Sequence, residues 1–176
     1  MTTDPRFPIG KFEMPTAPLT VAQRAQCIAD IAAAPAALRR AVQGLSDSQL
    51  DTPYRDGGWT VRQLVHHVPD SHLNAYVRFK LALTEDEPAI KTYEEAKWAE
   101  LADARTGPTE MSLALLDALH ERWVAMLRTL APDDLSRAFR HPQWGAISLA
   151  RTLALYAWHG RHHVAHVTTL RSRMGW

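Results

Sequence analysis

At 176 residues, with 46% hydrophobic and 22% charged side chains, the chain has an ordinary soluble globular composition and enough apolar material to bury a core. Twenty Lys and Arg against nineteen Asp and Glu leave a formal net charge of +1, which gives no electrostatic reason for nucleic acid or an anionic membrane as the main partner. The one cysteine, Cys27, excludes an internal disulfide framework and any Cys-rich zinc site.

Residues 1–19 read as an extended arm, because Pro5, Pro8, Pro15 and Pro18 interrupt any periodic pattern. The arm lacks the apolar centre of a signal peptide, and no run in the chain reaches membrane-spanning length, so a cytoplasmic protein without a membrane partner is expected. Thr20 can cap a first helix running through Ile28, Ile31 and Leu38 to Val42, with Gly44 as its stop. Pro35 lies inside this run and is expected to kink or split it.

Ser46 to Leu50 can form one turn of helix, and Asp51 to Gly58 is a loop rich in breakers. A second long helix follows, with Thr60 as its candidate cap, and continues to about Thr84. Pro69 sits early in it and is expected to bend or locally unwind the axis. Tyr93 to Leu101 is a short amphipathic piece between turn signals. A third long helix runs from about Thr109 to Leu130, where Met111, Leu115, Leu119, Trp123 and Met126 recur at helical spacing. Phe139 to Ile147 can be a long loop or a small hairpin, and Ser148 caps a fourth helix that reaches Arg173 or so. Four long helices with almost no strand signal predict an all-α fold, a four-helix bundle in one domain spanning residues 1–176.

The fourth helix carries Tyr156-Ala157-Trp158-His159-Gly160-Arg161-His162-His163-Val164-Ala165-His166-Val167, four of the nine histidines within twelve residues. His159 with His163, and His162 with His166, stand four apart, so either pair stacks on one helix face and can aim two imidazoles at one ion. Stepping about 100° per residue, Leu149, Leu153, Tyr156, Val164, Val167 and Leu170 define an apolar stripe. His159 and His163 lie within or beside that stripe; His162 and His166 fall toward the polar flank. Two imidazoles on a core-facing stripe are hard to explain by packing alone, which favours His159 and His163 as metal ligands over a helix whose histidines merely meet neighbours or solvent. A catalytic site needs a third protein ligand, and spacing leaves His66, His67, His72, His120 and His141 all open.

The block from Asp51 through Trp59 to His67, followed by Asp70-Ser71-His72 and Arg78-Phe79-Lys80-Leu81, resembles the YfiT branch of the DinB superfamily. So does the histidine-rich block from Tyr156 to His166, and the likeness extends over almost the whole chain. The resemblance implies a four-helix bundle holding one divalent metal through three histidines, one from the second helix and a pair from the last. Carried onto this sequence, it gives His67 with His159 and His163, while Val68-Pro69 stands where the family often has Leu-Ala.

The same resemblance implies either of two activities. One is a metal-dependent hydrolase. The other, slightly favoured, is an S-transferase joining a low-molecular-weight thiol of the bacillithiol or mycothiol type to an electrophile. It also implies a homodimer and a small-molecule substrate. Three neutral imidazoles suit a transition metal, zinc or nickel first, better than magnesium or calcium. Asp70 is a candidate base or orienting group, Tyr54 and Arg55 are candidates for contacting an anionic thiol cofactor, and Asn74 and Arg78 for lining the pocket. His66, His162 and His166 are expected at the surface or behind the ligands, and His120 and His141 apart from the metal. Without a Gly-x-Ser-x-Gly elbow, a phosphate-cradling loop or a dinucleotide fingerprint, the sequence excludes the corresponding enzyme classes. A non-catalytic metal-binding stress-response module or a structural bundle is the alternative.

Overall fold

In the computed structural model, which describes residues 4–176, helices begin where the sequence supplies caps. The first three residues of the expected arm lie outside the described part. Thr20, Ser46 and Thr60 each accept a hydrogen bond from the backbone N–H three residues on, and Gln23, Gln49 and Gln63 reach back to the cap's own N–H. These boxes open α1 (Val21–Val42), α2 (Asp47–Leu50) and α3 (Val61–Thr84). Two short helices follow, α4 (Glu95–Trp98) and α5 (Ala102–Thr106), then α6 (Thr109–Thr129) and a 3-10 turn at Asp133–Ser136. The segment after it is a hairpin, β1 (Ala138–His141) against β2 (Gly145–Ser148), with Phe139 opposite Ile147. Ser148 then caps α7 (Leu149–Met174), which stops at Gly175 in the left-handed region, φ 72°. No described helix is long and apolar enough to cross a membrane.

The long helices are α1, α3, α6 and α7. Both α1 and α3 pack beside α6 and α7, which places α1 and α3 across one diagonal and α6 and α7 across the other. Of the sequential long-helix pairs only α3 and α6 are neighbours, while α1 with α3 and α6 with α7 are not, so the bundle is not of the simple up-and-down kind.

Neither proline splits or unwinds its helix. Pro35 and Pro69 are buried inside continuous helices. Each proline removes one backbone donor, and burial of the flanking apolar residues Ile31, Ala34 and Leu38 in α1, and Val65, Val68 and Ala75 in α3, outweighs that loss.

Two apolar layers fill the bundle. One gathers Phe79, Trp123, Leu127, Leu149 and Leu153, and the other Leu38, Leu64, Leu116, Val167 and Leu170. The residues of α3, α6 and α7 that fall between these layers include His72, His120, His159 and His163. A belt of imidazoles thus crosses the middle of the bundle. Gly160 lets α7 come close to α1 at this level, since a Cβ there would lie 3.0 Å from the Ala34 Cβ.

Candidate metal centre

His67 sits two turns into α3, and His159 and His163 stand one turn apart on α7, the helix packed beside it. Each offers one ring nitrogen, and the three nitrogens lie within 4.8 Å of one another. The Nε2 atoms of His159 and His163 are 3.1 Å apart. Two nitrogens about 2.1 Å from a shared ion stand about 3.0–3.4 Å apart at angles from 90° to tetrahedral, so this pair has the bite of a chelate. The ring of His67 meets that of His163 edge-on at 5.0 Å and that of His159 at 5.5 Å.

Burial keeps these rings neutral. It pushes the His67 imidazolium down to about 4 and those of His159 and His163 well below the ordinary 6.5. Neutral imidazole is the form that binds a metal, and among the described residues no carboxylate joins the three. The donor set fits a divalent transition ion.

The loop before α3 walls the centre. Trp59 packs on His67 at 4.7 Å, and Tyr54 on His166 at 4.2 Å. Tyr54 N–H donates to the Trp59 carbonyl, closing the loop as a tight turn. Gly58 is needed inside it, because a Cβ there would stand 3.2 Å from the Arg55 carbonyl and 3.3 Å from the Tyr54 ring. Arg55 lies over Tyr54 at 5.5 Å and its charge depresses the His166 imidazolium, after burial as the larger cause.

Asp70, on the turn after His67, is half-buried, and burial raises its carboxyl to about 6. Asn74 spends its amide N–H on the Asp70 carbonyl and lines a separate hollow with Lys91, Tyr93 and Lys97. Arg78 is near enough to Tyr156 and His141 for its charge to be felt by both.

Sequence reasoning passed over Ser71 and the two tyrosines beside it. Ser71 lies one turn beyond His67, with its hydroxyl 3.4 Å from that of Tyr156. The Tyr93 hydroxyl is buried close enough to Ser71 for the serine hydroxyl to act on its titration, though burial as the larger cause pushes it up. Only the i, i+4 relation of Ser71 to His67 was a signal in the sequence.

The remaining histidines depart from a surface reading. His66 is buried, donating from Nε2 to the Gly107 carbonyl at 3.1 Å and meeting the Ser112 hydroxyl at 2.7 Å, so it ties α3 to the junction of α5 and α6. His162 and His166 are buried too, their Nε2 atoms 3.0 Å apart. The polar flank inferred from helical phase is covered by Trp158, by Tyr54 and by Phe7 of the N-terminal arm. No third donor joins this second pair among the described residues. His141 stacks on Trp144 at 4.4 Å in the hairpin. His72, open as a third ligand by spacing, is not one of the three: its Nδ1 meets His120 and its Nε2 meets the Nδ1 of His159, behind the cluster.

The sequence model described as the DinB superfamily matches residues 30–167. Proteins of Bacillus mycoides (strain KBAB4) and Bacillus cereus (strain B4264), each named "Putative metal-dependent hydrolase", are 53% identical over 173 residues, covering 98% of this chain and 99% of each relative. A solved structure described as "YfiT from Bacillus subtilis is a probable metal-dependent hydrolase with an unusual four-helix bundle topology" superposes with a TM-score of 0.94 at 50% identity, covering 98% of both chains. TT2238, described as a four-helix bundle protein, superposes with a TM-score of 0.56 at 19% identity, over 87% of this chain and 99% of its own, a likeness of fold alone.

Proposed function

The chain belongs to the DinB superfamily, and from that premise we propose that His67, His159 and His163 hold one divalent transition metal, zinc or nickel, in an enzyme acting on small molecules. When bound, such an ion supplies Lewis acidity that favours the deprotonated form of a nucleophile, whether a thiol or a water. The observation that carries the reading is the convergence of three neutral imidazoles from two helices: they contribute no charge of their own and leave positions open, where a purely structural clip would use four protein ligands.

The nucleophile we favour is a low-molecular-weight thiol, transferred to an electrophile. Its thiolate is the attacking form, and a dipositive centre with no carboxylate in the group suits that soft anion. Asp70, three residues past His67 and with its carboxyl raised to about 6 by burial, is the group we assign to take up the thiol proton. Tyr54 and Arg55 offer an aromatic face and a cation beside the centre for the rest of an anionic thiol. Hydrolysis is the second reading, supported by the names given to the relatives.

Loading the metal-free, untagged protein with zinc or nickel at about a thousand times Kd stabilises it by about 4.1 kcal/mol, or about 8–16 °C in thermal midpoint for a chain of this size. The loaded protein is then offered small thiols with a model electrophile, and esters and amides in parallel. Metal-dependent thiol conjugation is the expected result; turnover of esters or amides alone would give the hydrolase. An unchanged midpoint with either metal would remove the metal-enzyme reading altogether.

A homodimer is part of the proposal. Leu73 and Val77 of α3 and Met111 and Leu115 of α6 are large apolar side chains left exposed on two helices that pack side by side. A solution mass of one chain would contradict it.

A further inference from the structure

We propose that His72 and His120 are positioning residues for the metal centre: with the Ile31 carbonyl they form a hydrogen-bonded line that holds His159 as the Nδ1–H tautomer and turns its Nε2 lone pair toward His67 and His163. The inference rests on the metal-centre reading for its purpose, though not for its geometry.

The line is fixed from its far end. His120 Nδ1 lies 2.7 Å from the carbonyl oxygen of Ile31, which can only accept, so Nδ1 carries the proton. A neutral imidazole has one N–H, so His120 Nε2 must accept. His72 Nδ1 lies 2.8 Å from it and therefore donates. His72 Nε2 is left as an acceptor, and His159 Nδ1, 3.1 Å away, is the donor that reaches it. Each step leaves one choice. His159 Nε2 ends as a bare lone pair facing the cluster.

The starting carbonyl is available because of the chain's own sequence. In α1 the Ile31 carbonyl would normally accept from the N–H four residues on, and that residue is Pro35, which has none. The proline expected to kink or split α1 frees an acceptor at the level of the imidazole belt.

Packing holds the rings in place. His72 is fully buried and His120 nearly so. The ring of Trp123 meets both edge-on, at 5.9 and 5.8 Å, and Tyr156 meets His72 edge-on at 5.1 Å. By contrast, the Nδ1 of His163 is buried with no partner among the described residues. One ligand of the α7 pair is oriented from behind and the other is not. Because the orienting groups are imidazoles and a carbonyl, the line adds no negative charge behind the ligand, as a carboxylate would.

Ring 15N–1H correlation spectra of the metal-free protein at pH 7.5 test the line without any substitution. His72, His120 and His159 are expected as Nδ1–H tautomers; His159 carrying its proton on Nε2 would overturn the proposal. In His72→Leu the acceptor is gone, and zinc affinity is expected to fall about 10–100-fold, with His159 losing its single tautomer. His72→Gln, whose side-chain oxygen can accept from His159, should recover most of that loss. Equal weakening in the Leu and Gln variants would mean that ring packing, not the hydrogen bond, matters, and would also overturn it. Zinc binding with His159 in the opposite tautomer would sink the line and spare the metal centre. The expected tautomers without zinc binding would sink the metal centre, and with it the line's role.

Discussion

His163→Ala abolishes stoichiometric metal retention, whereas His166→Ala leaves it largely intact. The two imidazoles are one turn apart or less on the same helix, both buried, and composition does not distinguish them. Geometry does. A nitrogen of His163 lies within 4.8 Å of nitrogens on both His67 and His159, while His166 sets its Nε2 against that of His162 and its ring against Tyr54, outside that group. Removing one of three ligands should cost more than the ~10–100-fold that loss of an outer partner costs. The check is elemental analysis of untagged variants after dialysis. Each variant loses one buried imidazole, so comparing the pair also controls for the cost of a cavity. Loss in His166→Ala with retention in His163→Ala would show that the ion is held by the other face of α7, and equal loss from both would contradict the assignment of His163 over His166.

The second large effect is acid sensitivity of the metal-free protein. Burial lowers the imidazolium pKa of His67, His120, His162 and His166 to about 4, and those of His72, His159 and His163 fall further. In the unfolded chain these groups take up protons below about 6.5, while the folded chain resists doing so. Their contribution to stability is therefore complete above 6.5 and is lost as pH falls from 6.5 toward 4. Each histidine contributes a slope of up to about 1.4 kcal/mol per pH unit in that window. Asp70 acts in the opposite sense: its carboxyl is raised from 3.8 to about 6, so it favours the folded state slightly more as pH falls through that interval. One carboxyl does not offset the belt. Urea melts of the metal-free protein at pH 7.5, 6 and 5 should give steeply falling stabilities, and a flat profile would mean that the imidazoles are hydrated and not buried.

Much of the scaffold was legible because its signals are local. Thr20, Thr60 and Ser148 announce their helices through backbone hydrogen bonds within three residues. The i, i+4 spacing of His159 and His163 and their place on an apolar stripe are likewise properties of one helix. What was not legible depends on partners far along the chain. His120 lies 48 residues from His72 and 89 from Ile31, so no spacing rule could join them. The burial of His162 and His166 comes from the Tyr54 loop and the N-terminal arm folding over α7, which helical phase alone does not contain. Pro35 and Pro69 mislead for a related reason: a proline's cost is local, but the packing that outweighs it is tertiary.

The choice of third ligand illustrates the same division. His66, His67 and His72 lie within seven residues on α3, yet they serve three different neighbours. His66 faces the α5–α6 junction, His67 faces α7's histidine pair, and His72 faces His120. Only the crossing of α3 with α7 and α6 separates them.

The most direct test is an anomalous difference map, recorded across the metal's absorption edge, from crystals of the untagged protein. It should contain one strong peak per chain, about 2.1 Å from a nitrogen of each of His67, His159 and His163. A map with no such peak after metal loading, or with the peak on His162 and His166, would contradict the account.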